Sequence, residues 1–305
     1  LSIFNRAIFL QLFAIISLLM MIPSIVAFVE KDYFVGRTFL YSSFAGIFVY
    51  LLIAIAVSNN PKTQNNFEKL VSFILSYLFL PIFMAMPVVL CLDYVRLLDG
   101  WLEMVSAFST TGLNITTVRT SDGSAFQLWI AMVSWIGGIF FWICATGILL
   151  PLNISRFEIG VTDFTSGPSN KRHESSNSLM GFARQLIPIY ILITSSLWLF
   201  LILSGVPGFK ALLMAMCVIS TSGFEVISYD ETNIYIVEGI ILLFFVFALS
   251  KSLFIRDINE TQKFDIFKDP EIRLASIIIV ALTVLFFANA IIVSISENTD
   301  ISPVI

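Results

Sequence analysis

Phe108-Ser109-Thr110-Thr111-Gly112-Leu113 and Ile219-Ser220-Thr221-Ser222-Gly223-Phe224 repeat one pattern. Each is a hydroxyl-rich turn closed by glycine. Each follows directly on a short apolar run, residues 97–108 in the first case and 208–219 in the second. A helix needs about 20 apolar residues to cross a bilayer. These runs are too short for that and too apolar for a surface loop. They are predicted to be re-entrant segments, which enter a membrane and return on the same side.

Longer apolar runs surround them. Seven reach spanning length, over residues 4–28, 38–57, 70–92, 125–150, 182–203, 234–254 and 274–295. Backbone amides in lipid must bond within their own segment, so these runs are predicted helices. Pro23, Pro81, Pro87 and Pro188 fall in or near them. Such prolines are tolerated where neighbours pair the freed carbonyls. The composition agrees: of 305 residues, 58% are hydrophobic and 12% charged, about half the charge of an ordinary soluble domain. The 30 phenylalanines suit lipid-facing helices and close packing between them. The expected fold class is an all-α integral membrane protein with about seven transmembrane helices. The first residue is Leu, and the first run is too long for a signal-peptide core and has no small-x-small cleavage site. It is therefore expected to be a retained helix, with the native start missing.

Basic residues set the orientation. One group of connections holds Lys62, Lys69, Arg156, Lys171, Arg172, Arg184, Lys251, Arg256, Lys263, Lys268 and Arg273. The opposite group holds Lys31, Arg37, Arg96, Arg119 and Lys210. The positive-inside rule places the first group in the cytoplasm, so both re-entrant segments open to the outside. The outer connections also carry Asp93, Asp99, Glu103, Asp122, Glu225, Asp230 and Glu231. As a mildly acidic mouth these would concentrate cations; as ordinary solvated loop charges they would do nothing.

Helix, short apolar segment, hydroxyl-rich turn and helix therefore occur twice in the same order. The expected organisation is a two-helix extension over 1–60, a first helix–pore–helix repeat over 61–155, a second over 156–256, and the opening helix of an incomplete third over 257–305. The repeated turn suits a cation filter. An alkali cation that sheds water must recover oxygen ligands, and carbonyls and hydroxyls supply them. Glycine permits the positive φ that aligning successive carbonyls requires. A pore helix ending at the turn presents its negative dipole end to the ion. Ser109, Thr110, Thr111, Gly112, Leu113, Ser220, Thr221, Ser222, Gly223 and Phe224 are the candidate potassium-filter residues. Two such turns in matching contexts are far more specific than one. A non-conducting re-entrant cap is the bland alternative.

At these residues the chain resembles the TrkH/KtrB superfamily of bacterial potassium transporters. Ser106-Ala107-Phe108-Ser109-Thr110-Thr111-Gly112 is similar to its first filter, and Ile219-Ser220-Thr221-Ser222-Gly223-Phe224 to its second. Trp135-Ile136-Gly137-Gly138, with Pro151 ending the same run, is similar to the segment after the first filter. The loop Ser166-Gly167-Pro168-Ser169-Asn170, leading to Ala183-Arg184, resembles the first cytoplasmic linker. The likeness covers nearly the whole chain, and the two helices before the first repeat look like the TrkH branch. The resemblance implies four helix–pore–helix repeats around one pore, a homodimer, a cytoplasmic nucleotide-binding regulatory subunit, and residence in the bacterial inner membrane. With two filters in hand, the chain reads as truncated after about two and a half repeats. The family's gating loop falls in the missing part. Glu225 stands where a small polar residue is expected.

Little else in the sequence competes. The net charge of −4 offers no basic patch for nucleic acid. Cys91, Cys144 and Cys217 lie in apolar runs without metal or redox spacing and read as small buried hydrophobes. His173 sits among Lys171, Arg172 and Glu174 in a polar loop. No Walker-type phosphate loop or nucleophile motif appears. Gly137-Gly138 reads as a close-packing site. Glu238, near the outer end of a span, reads as functional or as merely reaching the interface. The expectation is potassium uptake without enzymatic activity or cofactor, with potassium as the substrate. A proton- or sodium-coupled symporter and a non-conducting scaffold fragment are the alternatives.

Overall fold

The computed structural model describes residues 8–56, 66–113, 123–145, 175–223, 234–249, 273–274 and 276–286. The chain divides into two compact units, Leu1–Phe245 and Val246–Ile305. The described residues of the second unit include one apolar helix, Ser276–Phe286.

The first unit is helical throughout its described regular structure. Its elements are α1 (Ile8–Leu19), α2 (Met21–Val29), α3 (Tyr33–Ala56), α4 (Asn66–Cys91), α5 (Leu97–Phe108), α6 (Ser124–Cys144), α7 (Ser175–Leu203), α8 (Gly208–Ile219) and α9 (Ile234–Leu249), the last running past the unit boundary. Five helical stretches among the described residues are long and apolar enough to cross a membrane. They are Ile8–Val29, Tyr33–Ala56, Glu68–Cys91, Ser124–Cys144 and Ala183–Leu203. They correspond to the first five predicted spans. The protein is a multi-pass membrane protein. The sixth and seventh predicted spans are described only in part, as α9 and the Ser276–Phe286 helix. The two short predicted segments are α5 and α8, with the predicted ends.

The prolines act differently from one another. Pro23 has no N–H to close the turn before it, and the first span breaks at Met20 into α1 and α2. Helix α4 instead continues through Pro81 and Pro87. The carbonyls that lose a helical donor to these prolines are those four residues back, Tyr77 and Phe83. At the next carbonyl along in each case, the indole N–H of Trp101 donates to Leu78 at 3.0 Å, and that of Trp129 to Met84 at 3.0 Å. These two tryptophans tie α4 to α5 and to α6 beside the prolines.

Helix α6 is the centre of the unit. It packs against α2, α5, α7 and α8, and it is 67% buried where the other four spans are 28–39% buried. Trp129, Ile130, Val133 and Ala131 along it are fully enclosed. On one side they meet Phe39 of α3, whose ring lies 6.0 Å from Trp129. The outer faces of α2, α3 and α4 expose Ile25, Phe34, Phe44, Phe48, Ile74 and Phe79, a surface suited to lipid. The two N-terminal helices are fastened at small residues. The Ser24 hydroxyl donates to the Gly36 carbonyl at 2.7 Å. A Cβ at Gly46 would collide with Ser17 and Phe83, so α1, α3 and α4 cross closely there.

Candidate functional site

Helices α5 and α8 end in the same way. Ser109 N donates to Val105 O at 2.8 Å, Thr110 N to Ala107 O at 3.0 Å, and Thr111 N to Ser106 O at 2.9 Å. In the second copy Ser220 N donates to Met216 O at 3.1 Å, Thr221 N to Val218 O at 3.0 Å, and Ser222 N to Cys217 O at 3.0 Å. This is a Schellman ending, in which the residue after the cap adopts left-handed geometry and the next N–H reaches back into the helix. Glycine normally fills the left-handed position. Here it is Thr110 with φ 56° and Thr221 with φ 54°. A β-branched residue in that region is a genuine outlier, at a cost of about 1–3 kcal/mol each. The same strain at equivalent positions of two repeats marks a geometry that the surrounding packing imposes.

The sign of φ then alternates along each turn. Ser109 is at −82°, and Ser220 at −78°. Thr110 and Thr221 are positive, Thr111 and Ser222 are not, and Gly112 and Gly223 are positive again at 73° and 63°. In an ordinary extended strand successive carbonyls point to opposite sides. A change of φ sign from residue to residue breaks that strand-like alternation.

The two turns meet. A Cβ on Gly112 would overlap the carbonyl oxygen of Ser222 and come within 3.5 Å of the Gly223 carbonyl carbon. Gly112 therefore has two reasons to be glycine, its φ and its neighbour. Gly223 has one, since no described atom lies within 4 Å of a Cβ built there.

Hydroxyls brace the turns unequally. Ser106, one turn back in α5, accepts from the N–H of Leu113 at 2.7 Å and lies 3.2 Å from the Leu113 carbonyl, so its Oγ pins the far end of the first turn. Ser109 and Thr111 share a hydroxyl–hydroxyl bond of 2.8 Å. At the position of Ser106 the second repeat has Cys217. There the Ser220 and Ser222 hydroxyls donate to the Cys217 carbonyl at 3.2 and 3.4 Å. Ser109, Thr111 and Leu113 are exposed, Thr110 and Gly112 half-buried; Ser220 and Ser222 are buried, Thr221 and Gly223 exposed.

The base of the first turn is caged by rings. Phe108 is fully buried, with ring centroids 4.8 Å from Tyr77 and 5.7 Å from Phe140. Helix α6 presses on both turns through consecutive glycines. A Cβ on Gly137 would overlap the Phe108 carbonyl, and one on Gly138 would lie 3.1 Å from the Ser220 Cβ. The close-packing reading of Gly137-Gly138 therefore has a definite object.

Glu103 departs from expectation. It was placed with the acids of the outer mouth, but it is 2% exposed. The helical period of α5 carries it to the same side as Met104, Ala107 and Phe108, which face α4 and α6 rather than solvent. Asp93 is exposed and Asp99 half-buried. Phe224, Glu225, Asp122, Asp230, Glu231, Arg119, His173 and the loop at 166–170 lie outside the described residues. Sequence reasoning quoted Ser106 and Trp135 only as motif letters. Ser106 carried a usable signal, being a polar residue one turn before a glycine turn on an otherwise apolar face. Tyr190 and Thr194, which bond to Trp135, carried none.

Two short helices that end in matched hydroxyl-glycine turns and pack on one central span define the class: a multi-pass protein of the TrkH/KtrB-type fold. Among solved structures the chain is similar to the potassium transporter TrkH from Vibrio parahaemolyticus, with a TM-score of 0.63 and 21% identity over 82% of this chain and 50% of that one. Among sequences it is 28% identical over 218 residues to an uncharacterized cation transporter of Methanocaldococcus jannaschii, covering 71% of this chain and 44% of that protein. It is 26% identical over 164 residues to the Trk system potassium uptake protein TrkI of Halomonas elongata, covering 54% of this chain and 32% of that one. The chain thus spans half or less of the length of these proteins. No family model matches it. The TrkH/KtrB-type likeness read from the filter motifs holds in the fold and in both sequence relatives.

Proposed function

We propose that this chain supplies two adjacent quarters of the selectivity filter in a potassium-uptake transporter. The observation that carries the reading is the matched pair of turns, alike in hydrogen bonding and in the alternation of φ, and touching at Gly112 and Ser222. Backbone carbonyls gathered at the negative ends of two short helices are the chemistry a partly dehydrated alkali cation needs. Backbone oxygens of Ser109 to Leu113 and of Ser220 to Phe224 are the ligands in this reading. The named activities of the relatives, cation transport and potassium uptake, support it. The resemblance extends the proposal to an inner-membrane homodimer regulated by a cytoplasmic nucleotide-binding subunit.

The test is flux through the intact protein in proteoliposomes. Rubidium, a potassium surrogate, is expected to pass in preference to sodium. Gly112→Ser and Gly223→Ser are both expected to lower the rubidium-to-sodium ratio. Gly112→Ser is expected to be the more damaging, because it adds a collision with Ser222 to the loss of conformational freedom. An unchanged ratio in both variants would remove the filter assignment.

A further inference from the structure

Behind the second turn, α7 packs against α6 through buried polar side chains. Tyr190 of α7 is buried to 2% exposure, and Thr194, one turn on, to 5%. Three hydrogen bonds close a circuit between α7 and α6. The Tyr190 hydroxyl donates to the Trp135 carbonyl at 3.2 Å. The Trp135 indole N–H donates to the Thr194 hydroxyl at 3.1 Å. The Thr194 hydroxyl donates to the Tyr190 carbonyl at 2.7 Å. The rings of Trp135 and Tyr190 lie 5.2 Å apart. The Thr194 hydroxyl both accepts and donates, so in a low-dielectric interior the second and third bonds strengthen each other, while the first ties the Tyr190 side chain to the Trp135 backbone.

The circuit sits directly behind the candidate filter. A Cβ on Gly138 would lie 2.8 Å from the Tyr190 hydroxyl and 3.2 Å from the Ser220 Cα. Gly138 is thus a bare strip of backbone held between α7 and the second turn, while Gly137 beside it abuts the Phe108 carbonyl at the base of the first. Any displacement of α6 toward or away from α7 moves both turns' seats together.

We propose that Tyr190, Trp135 and Thr194 are positioning residues for ion selectivity, acting through Gly138 to set where Ser220 stands relative to the first turn. The inference rests on the filter reading above. None of the three residues touches the ion. They fix the one helix that both turns share. Selectivity is a small difference between ions in carbonyl geometry, so a shift too small to unfold the protein is enough to change it.

The experiment measures rubidium and sodium flux, together with abundance and melting temperature, in the intact reconstituted protein. Tyr190→Phe and Thr194→Val each remove one bond of the circuit and are expected to lower the rubidium-to-sodium ratio about threefold to tenfold, the scale of one net hydrogen bond. Gly138→Ala is expected to lower it further. Gly138→Ala combined with Tyr190→Phe is expected to select better than Gly138→Ala alone, because the oxygen that the new methyl meets at 2.8 Å is gone. A merely structural role predicts otherwise: both fluxes fall in step with abundance and the ratio stays constant. That result, or a double variant no better than Gly138→Ala, overturns the proposal. If Gly138→Ala does not accumulate, the ratio in Tyr190→Phe and Thr194→Val decides. Gly112→Ser in the same assay separates the two claims. If it changes the ratio and the circuit variants do not, only the positioning role fails; if it too has no effect, the filter reading fails first.

Discussion

At the scale of single residues, the left-handed threonines and the serine brace show how the first turn is held. Thr110 and Thr221 carry strain that glycine would avoid. Threonine retains there a hydroxyl that glycine lacks. Ser106 holds the other end by satisfying the Leu113 N–H. Ser106→Ala leaves that donor without its partner, at a cost of about 1–3 kcal/mol. The expected result is a lower melting temperature of the detergent-solubilised protein and weaker discrimination between rubidium and sodium. Ser106→Cys gives the first repeat the residue found in the second and is expected to fall between alanine and the parent in both measurements. Equal values for alanine and the parent would show that the brace is idle.

At the scale of elements, the informative case is α4. It holds two prolines and stays one helix, and α5 and α6 each bring an indole donor to the carbonyl beside the one a proline frees. Trp129→Phe removes the donor and leaves a small cavity, since the phenyl ring is smaller than the indole. It is expected to destabilise by about 1–3 kcal/mol, from the lost hydrogen bond and the lost packing together. The effect should be larger than for Trp101→Phe, because Trp129 is fully buried and Trp101 is half-buried. Thermal unfolding in detergent gives the comparison, and a reversed order would show that burial does not govern the loss. The prolines were legible in the sequence and so was the need for donors. Which tryptophan serves which carbonyl was not, since Trp101 and Leu78 are 23 positions apart and Trp129 and Met84 are 45 apart. Only packing brings them together.

At the scale of the whole molecule, the N-terminal helices pack on α4 and α6 as a collar. Their crossing at Gly46 leaves no room for a side chain. Gly46→Val is therefore expected to lower abundance and melting temperature without changing the rubidium-to-sodium ratio of the protein that remains. A changed ratio would mean that the collar reaches the filter. Helix α6 plays the contrasting part. It is the most buried of the described spans, and it meets both hydroxyl-glycine turns through adjacent glycines. Its apolar character was evident from composition, but its central place was not, because a span that faces lipid and one that faces protein are equally apolar.

The membrane class, the repeat, the ends of α5 and α8 and the two hydroxyl-glycine turns were all determined by the sequence alone. They depend on segment length and local backbone chemistry: an apolar run of spanning length has one stable form in lipid, and a glycine turn after a short helix has few. The tertiary structure alone decided that Gly112 rests on Ser222, that Gly138 separates Tyr190 from Ser220, and that Glu103 points inward. Those facts are contacts between segments distant in the chain. Hydropathy cannot encode them, because in a bilayer the polarity of a side chain no longer separates inside from outside.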